Sequence, residues 1–160
     1  MKEGNEMITV VHGDIFNSKC QTIVNAVNCV GVMGKGLALQ FKNKYPEMFE
    51  EYQKICANKS FYPGCLHLYN ATDHKIINFP TKNDWRNPSE YQYIEAGLET
   101  FKTIYKSWGI TSIAIPPLGC GLGGLEQEKV LKLIEKKLGG LPIGIKFYAK
   151  KQLKEKLHAN

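Results

Sequence analysis

Two glycine-rich segments constrain this chain more than anything else in it. "NCVGVMGKG" (residues 28–36) and "LGCGLGG" (residues 118–124) each follow an apolar, partly β-branched run and each precede a stretch with helical spacing. Strand, glycine loop and helix in that order make the unit of a parallel α/β sheet, because parallel strands need a crossover connection. Ligands of such sheets sit outside the carboxyl ends of the strands, where both glycine segments fall.

The remaining segments fit the same plan. "MITVVHGDI" reads as a strand ending in a Gly13-Asp14 turn, and "TIVNAVN" as a strand that runs into the first glycine segment. "GLALQFKNKY" reads as a helix stopped by Pro46, which opens the next helix at its first position. Met48, Phe49, Tyr52, Ile55 and Cys56 give that second helix one buried face. "CLHLYNATDHKIINFPT" reads as two strands about a polar turn at 70–74. Asn87 is expected as an N-cap, with Pro88 first in the helix and Glu90 completing a capping-box-like pattern. Tyr91, Ile94, Leu98, Phe101, Tyr105 and Trp108 then share a face, and Gly109 ends that helix. "TSIAIPP", "LEQEKVLKLIEKKLGG" and "IGIKFYAK" follow as strand, helix and strand. The expected fold is α/β: a central mixed, mostly parallel sheet with helices on both faces. The 160 residues show no repeat or linker, so a single domain over 1–160 is expected, with a core at about 7–148 and a basic tail at 149–160.

Composition narrows the function classes. No apolar run approaches ~18 residues, so no membrane span is expected, and "MKEGNEMITV" lacks the apolar region of a secretory signal. Five scattered cysteines without C-x-x-C argue against a zinc site or a disulfide framework and suit the cytoplasm. No metal or cofactor is expected, and a monomer is. The net charge of +6, carried by 20 Lys and the single Arg86, suits an anionic partner, although a solvated lysine face explains charge equally well.

Neither glycine segment is a standard nucleotide motif. In the first, Lys35 is followed by Gly36 rather than Ser or Thr, so a P-loop ATPase is excluded. The second matches G-x-G-x-x-G by letter, but no acidic residue ends the next strand, so hydride chemistry is excluded as well. What remains is anion binding: glycines let backbone N–H groups approach a phosphate, and a helix N-terminus favours negative charge. Four glycines in six residues, 119–124, exceed what a turn requires.

"GDIFNSKCQTIVNAVNCVGVMGKGLALQFK", "INFPTKNDWRNPS" and "IAIPPLGCGLGGLEQEKV", in that order, resemble a macrodomain, in particular the DarG-type DNA ADP-ribosyl glycohydrolase macrodomains. These are antitoxins to DarT toxins, which attach ADP-ribose to DNA bases. The terminal ADP-ribose glycohydrolases of vertebrates belong to the same branch. The resemblance covers about residues 7–148 and implies a three-layer α/β/α fold with ADP-ribose as ligand. It places Asp14 and the Ile15 N–H at adenine, and Asn25 and Asn28 near the distal ribose. Val30, Gly31, Val32, Met33, Gly34, Lys35 and Gly36 would wrap the diphosphate and ribose from one side. Pro117, Gly119, Cys120, Gly121, Leu122, Gly123 and Gly124 would do so from the other. Lys82, in "NFPTKNDW", takes the place of the catalytic lysine. A neutral amine can attack the anomeric carbon that carries the base, and Lys35 or Arg86 as a cationic neighbour would favour the neutral form. Lys35, Trp85 and Arg86 are candidate contacts to a single-stranded DNA substrate. Cys120 reads as a small residue, since no His is placed to activate it, and Phe147 or Tyr148 could flank adenine.

The chain departs from the family pattern in two places. Gly123 stands where the vertebrate relatives carry an assisting acidic residue, and Gln127 lies at or near a usual Trp. The resemblance implies an ADP-ribosyl glycohydrolase acting on modified DNA, partnered by a DarT-type toxin. A binding module that reads ADP-ribose without cutting it is the alternative, as is a hydrolase of the 1″-phosphate or O-acetyl ester.

Overall fold

A computed structural model describes residues 8–150. Six strands, β1 (Ile8–Val11), β2 (Thr22–Val27), β3 (His67–Asn70), β4 (Lys75–Pro80), β5 (Ser112–Ile115) and β6 (Gly144–Tyr148), form one sheet in the order β1-β6-β5-β2-β4-β3. All neighbours pair in parallel except the edge strand β3, which returns antiparallel to β4. The carboxyl ends of five strands therefore share one edge of the sheet.

Period-2 alternation in the strands sorts two cores. Ile23 and Val27 of β2, Ile76 of β4 and Ala114 of β5 pack against Phe41 of α1 (Gly36–Lys44) and Met48, Tyr52 and Cys56 of α2 (Pro46–Ala57). On the other face Val24, Ile77, Phe79, Ile113, Ile115, Ile145 and Phe147 meet α3 (Tyr91–Ile104) and α4 (Gln127–Leu138). The result is the three-layer α/β/α sandwich expected from the alternation. In α3, Gly97 has no Cβ because the Phe79 ring occupies that space, so helix and sheet approach closely there.

Pro46 separates α1 from α2 as the sequence predicts. The start of α3 differs. The helix begins at Tyr91, with Glu90 as N-cap and no capping side chain, rather than at Pro88. A local turn and a tertiary bond take that segment instead: Asn87 N–H donates to the Asp84 carbonyl at 3.0 Å, and Ser89 N–H to the Gly123 carbonyl at 3.1 Å. The tail from residue 151 lies outside the described residues. Among the described residues no helix is long and apolar enough to cross a membrane.

Candidate active site between the two glycine loops

One asparagine organises the first glycine loop from beneath. Asn28 Oδ1 accepts the N–H groups of Val30 (3.0 Å) and Val32 (3.3 Å) and the Tyr52 hydroxyl (2.8 Å). Its Nδ2 donates to the Val32 carbonyl at 2.7 Å. A single amide thus curls residues 28–32 around itself. Burial, with the Cys56 and Cys29 thiols nearby, pushes the Tyr52 phenol up, so it stays a donor. Beyond the curl, Lys35 is exposed and extended at the N-cap position of α1, and Gly36 enters the helix at φ +58°.

The second loop has a different construction. Backbone bonds close it, from Leu125 N–H to the Gly119 carbonyl (3.0 Å) and from Gly124 N–H to the Gly121 carbonyl (3.1 Å) around a 3-10 turn at Gly121–Gly123. Gly119 sits at φ +75°, and a Cβ there would come within 2.7 Å of Leu125 Cδ1 and 3.0 Å of Ser89 Cβ. Burial raises the Cys120 thiol to about 11, opposed in part by the Lys150 charge. It is therefore protonated at neutral pH and fits the reading of a small residue rather than a nucleophile.

Residues 81–89 run between these loops and are bonded to both. Thr81 N–H extends the β2–β4 ladder to the Val27 carbonyl (2.8 Å), and Cys29 N–H donates to the Asn83 carbonyl (3.0 Å). On the far side lies the Ser89–Gly123 bond already described. Lys82 is half-buried in this bridge, and its Nζ donates to the Trp85 carbonyl at 3.3 Å. Its Cε lies 3.8 Å from where a Cβ on Gly123 would stand, so the lysine reaches the second loop. That same Cβ would overlap Ser89 Oγ. Ser89 thus fills the space that an acidic side chain at position 123 would need.

Asp84 and Arg86 stiffen the bridge. The guanidinium donates through Nε and Nη2 to the two carboxylate oxygens at 2.9 and 2.7 Å, and lies 5.5 Å from the Trp85 ring centre. These hydrogen bonds hold the Asp84 carboxyl down at about 2. Arg86 is therefore paired with Asp84, while its side chain stays largely exposed. Trp85 is 51% exposed, so it does not pin the loop to the body.

The edge of the sheet collects most of the expected residues. Asp14, exposed after β1, accepts the Phe16 N–H at 3.0 Å and caps a short 3-10 turn that begins at Ile15. Asn25 is a correction: it lies on the α2 face of β2 with Ile23 and Val27, fully buried rather than turned to a ligand. Its Nδ2 donates to Asn78 Oδ1 (3.0 Å), while Asn78 Nδ2 reaches His67 Nδ1 (3.0 Å) and His67 Nε2 meets Glu51 (2.9 Å). Met33, also buried, covers this polar ladder from the first loop. Phe147 faces the α3–α4 core and cannot flank a ligand, whereas Tyr148 is half-buried on the opposite face. Sequence reasoning missed Asn83 and Ser89, both inside a motif it had singled out. It also missed Lys150, whose N–H donates to Gln127 Oε1 (2.8 Å) and whose ammonium lies over Gly121.

A mostly parallel sheet with two glycine loops at one edge and a lysine-bearing bridge between them marks a three-layer α/β/α domain. Residues 24–134 match the Macro domain family model, and the chain belongs to that family. It is 47% identical over 128 residues, 78% of its length, to a DNA ADP-ribosyl glycohydrolase of Mycobacterium tuberculosis. Among solved structures it is similar to the macrodomain of Mycobacterium tuberculosis DarG, with a TM-score of 0.87 and 43% identity over 91% of this chain and 99% of that one. It is also similar to Thermosipho africanus DarTG in complex with ADP-ribose, with a TM-score of 0.87 and 38% identity over 94% of this chain and 43% of that one. The chain spans only 36% to 41% of the length of the curated relatives it matches at 39–47% identity.

Proposed function

We propose that this macrodomain binds ADP-ribose between its two glycine loops and removes it from modified DNA bases, with Lys82 as the catalytic residue. The observation that carries the reading is the position of Lys82, in a segment tied by backbone bonds to the first loop through Asn83 and to the second through Ser89. A lysine so held stands between the two walls of an ADP-ribose cleft, where the distal ribose would lie. Its relatives named DNA ADP-ribosyl glycohydrolase support the substrate.

The chemistry follows from the side chain. The neutral amine attacks the anomeric carbon of the distal ribose, and the base leaves with the bonding electrons and takes up a proton. The ribosyl-amine opens to a Schiff base, which water hydrolyses, returning the lysine and releasing ADP-ribose. With Ser89 in the space beside Gly123, this chain does without a carboxylate at that position. Asp14 and the Ile15 N–H would hold adenine, and backbone N–H groups of the two loops would hold the diphosphate. The partner is single-stranded DNA modified by a DarT-type toxin, and the workplace is the cytoplasm.

The test is release of ADP-ribose from a toxin-modified single-stranded oligonucleotide, wild type beside Lys82→Ala. Wild type restores the unmodified strand, and the variant loses at least a hundredfold in rate while still binding ADP-ribose in calorimetry. Binding by both with turnover by neither would make the chain a reader of ADP-ribose. Turnover retained in the variant would remove Lys82 from the mechanism.

A further inference from the structure

The first loop does not pack flush against α2. Behind Cys29, Val30 and Gly31 lies an open groove of about 790 Å³, walled by the second half of α2 and by Phe61, Lys59 and Asn83. That volume is within the range of small-molecule clefts, about 300–1,000 Å³. The groove adjoins the proposed active site, because Asn83 follows Lys82 and its carbonyl accepts the Cys29 N–H.

Its charge is mainly positive. Lys54 and Lys59 line it, against Glu50 as the only carboxylate of the lining, and among the described residues neither ammonium is paired. Val30 is 46% exposed on the rim. Lys59 also stands in an unfavourable backbone position. Its N–H donates to the Cys56 carbonyl and Ser60 N–H to the Ile55 carbonyl, the double bond pattern that ends a helix with a left-handed residue, usually glycine. Lys59 adopts φ +57°, and among the described residues no other non-glycine has a positive φ. The chain thus keeps a cation where the backbone favours glycine, and it keeps it on the groove wall. Strain retained in this way points to use of the side chain.

Resting on the glycohydrolase reading, we infer that this groove receives the nucleotide next to the modified base, its phosphate taken by Lys54 and Lys59. A single strand whose modified base is held at Lys82 must leave across the neighbouring surface. This groove offers that strand two ammonium groups without an ion-pair partner among the described residues and an apolar rim, the pairing that single-stranded nucleic acid needs.

Lys59→Gly makes the test clean, because glycine relieves the strained helix end and the variant should melt no lower than wild type. For Lys59→Gly and Lys54→Ala, KM on a modified single-stranded oligonucleotide should rise several-fold with kcat unchanged. Each should lower the slope of log affinity against log salt by about 0.7. Turnover of a modified mononucleoside, which has no flanking phosphate, should not change. An unchanged KM on the oligonucleotide, or an equal loss on the mononucleoside, overturns the groove assignment. Should wild type turn over neither substrate, the glycohydrolase reading fails, and a fluorescent unmodified oligonucleotide judges the groove alone. Anisotropy binding weakened by both substitutions keeps it, while no binding, or binding indifferent to them, ends it.

Discussion

The two glycine loops face one another across the sheet edge and reach a fixed shape by opposite means. The first is shaped by something present: the Asn28 amide, with four side-chain hydrogen bonds and Tyr52 beneath it. The second is shaped by something absent, since Gly119 and Gly123 leave room that Leu125 and Ser89 fill. A loop of the first kind is broken by deleting atoms and one of the second kind by adding them. Two walls of such different construction would serve the one ADP-ribose cleft proposed above.

The largest effect should come from adding a methyl group to the second loop. Gly119→Ala forces a non-glycine residue into φ +75°, at roughly 1–2 kcal/mol, and drives its Cβ against Leu125 and Ser89. Overpacking of this kind costs roughly 1–3 kcal/mol more. Thermal or denaturant unfolding should therefore show a loss of about 2–5 kcal/mol. Ser89 belongs to the bridge, so the variant should also impair turnover. A variant as stable as wild type would mean that the second loop is not held by close packing.

Asn28→Ala attacks the other construction. It removes four hydrogen bonds of a buried side chain and leaves their partners poorly solvated, so the expected loss is about 2–4 kcal/mol. The sharper measurement is hydrogen exchange. Protection should fall at Val30 and Val32 and persist at Gly124 and Leu125. Equal loss in both loops would show that residues 81–89 couple them, and the contrast between the two constructions would no longer hold.

Much of this arrangement could be read in the chain beforehand, and the exceptions have physical reasons. The β-branched runs, the glycines and Pro46 mark the elements because each acts through its own local sterics. Asn25 was misplaced although the signal was present: Ile23 and Val27, two residues to either side, are core residues and share its face. The resemblance implied a place near the ribose, whereas the period of two puts Asn25 in the core. The start of α3 could not be read, because Asn87 and Pro88 form a sound local cap and only the distant Gly123 carbonyl recruits Ser89 away from it. The role of Asn28 was legible as a residue but not as a function. Expected near the ribose, it spends most of its hydrogen-bonding capacity on the loop itself.

The smallest effect concerns the bridge that joins the two walls. Asp84 is held at about 2 by its hydrogen bonds to Arg86, against an ordinary value near 3.8. A carboxyl depressed in the folded state contributes stability that is complete above its unfolded value and disappears as pH falls through its folded value. The fork should therefore persist down to about pH 3, where an ordinary Asp is mostly protonated, and fail near pH 2. The pair is exposed, so its worth to global stability is slight, and the readout must be local. The Arg86 Nε–H resonance should remain protected from exchange at about pH 3 in wild type, and lose that protection at neutral pH in Asp84→Asn. Early loss of protection in wild type would mean that the fork does not stiffen the bridge. The position of Lys82 would then rest on the backbone bonds of Thr81, Asn83 and Ser89, which tie the segment to β2 and to both loops.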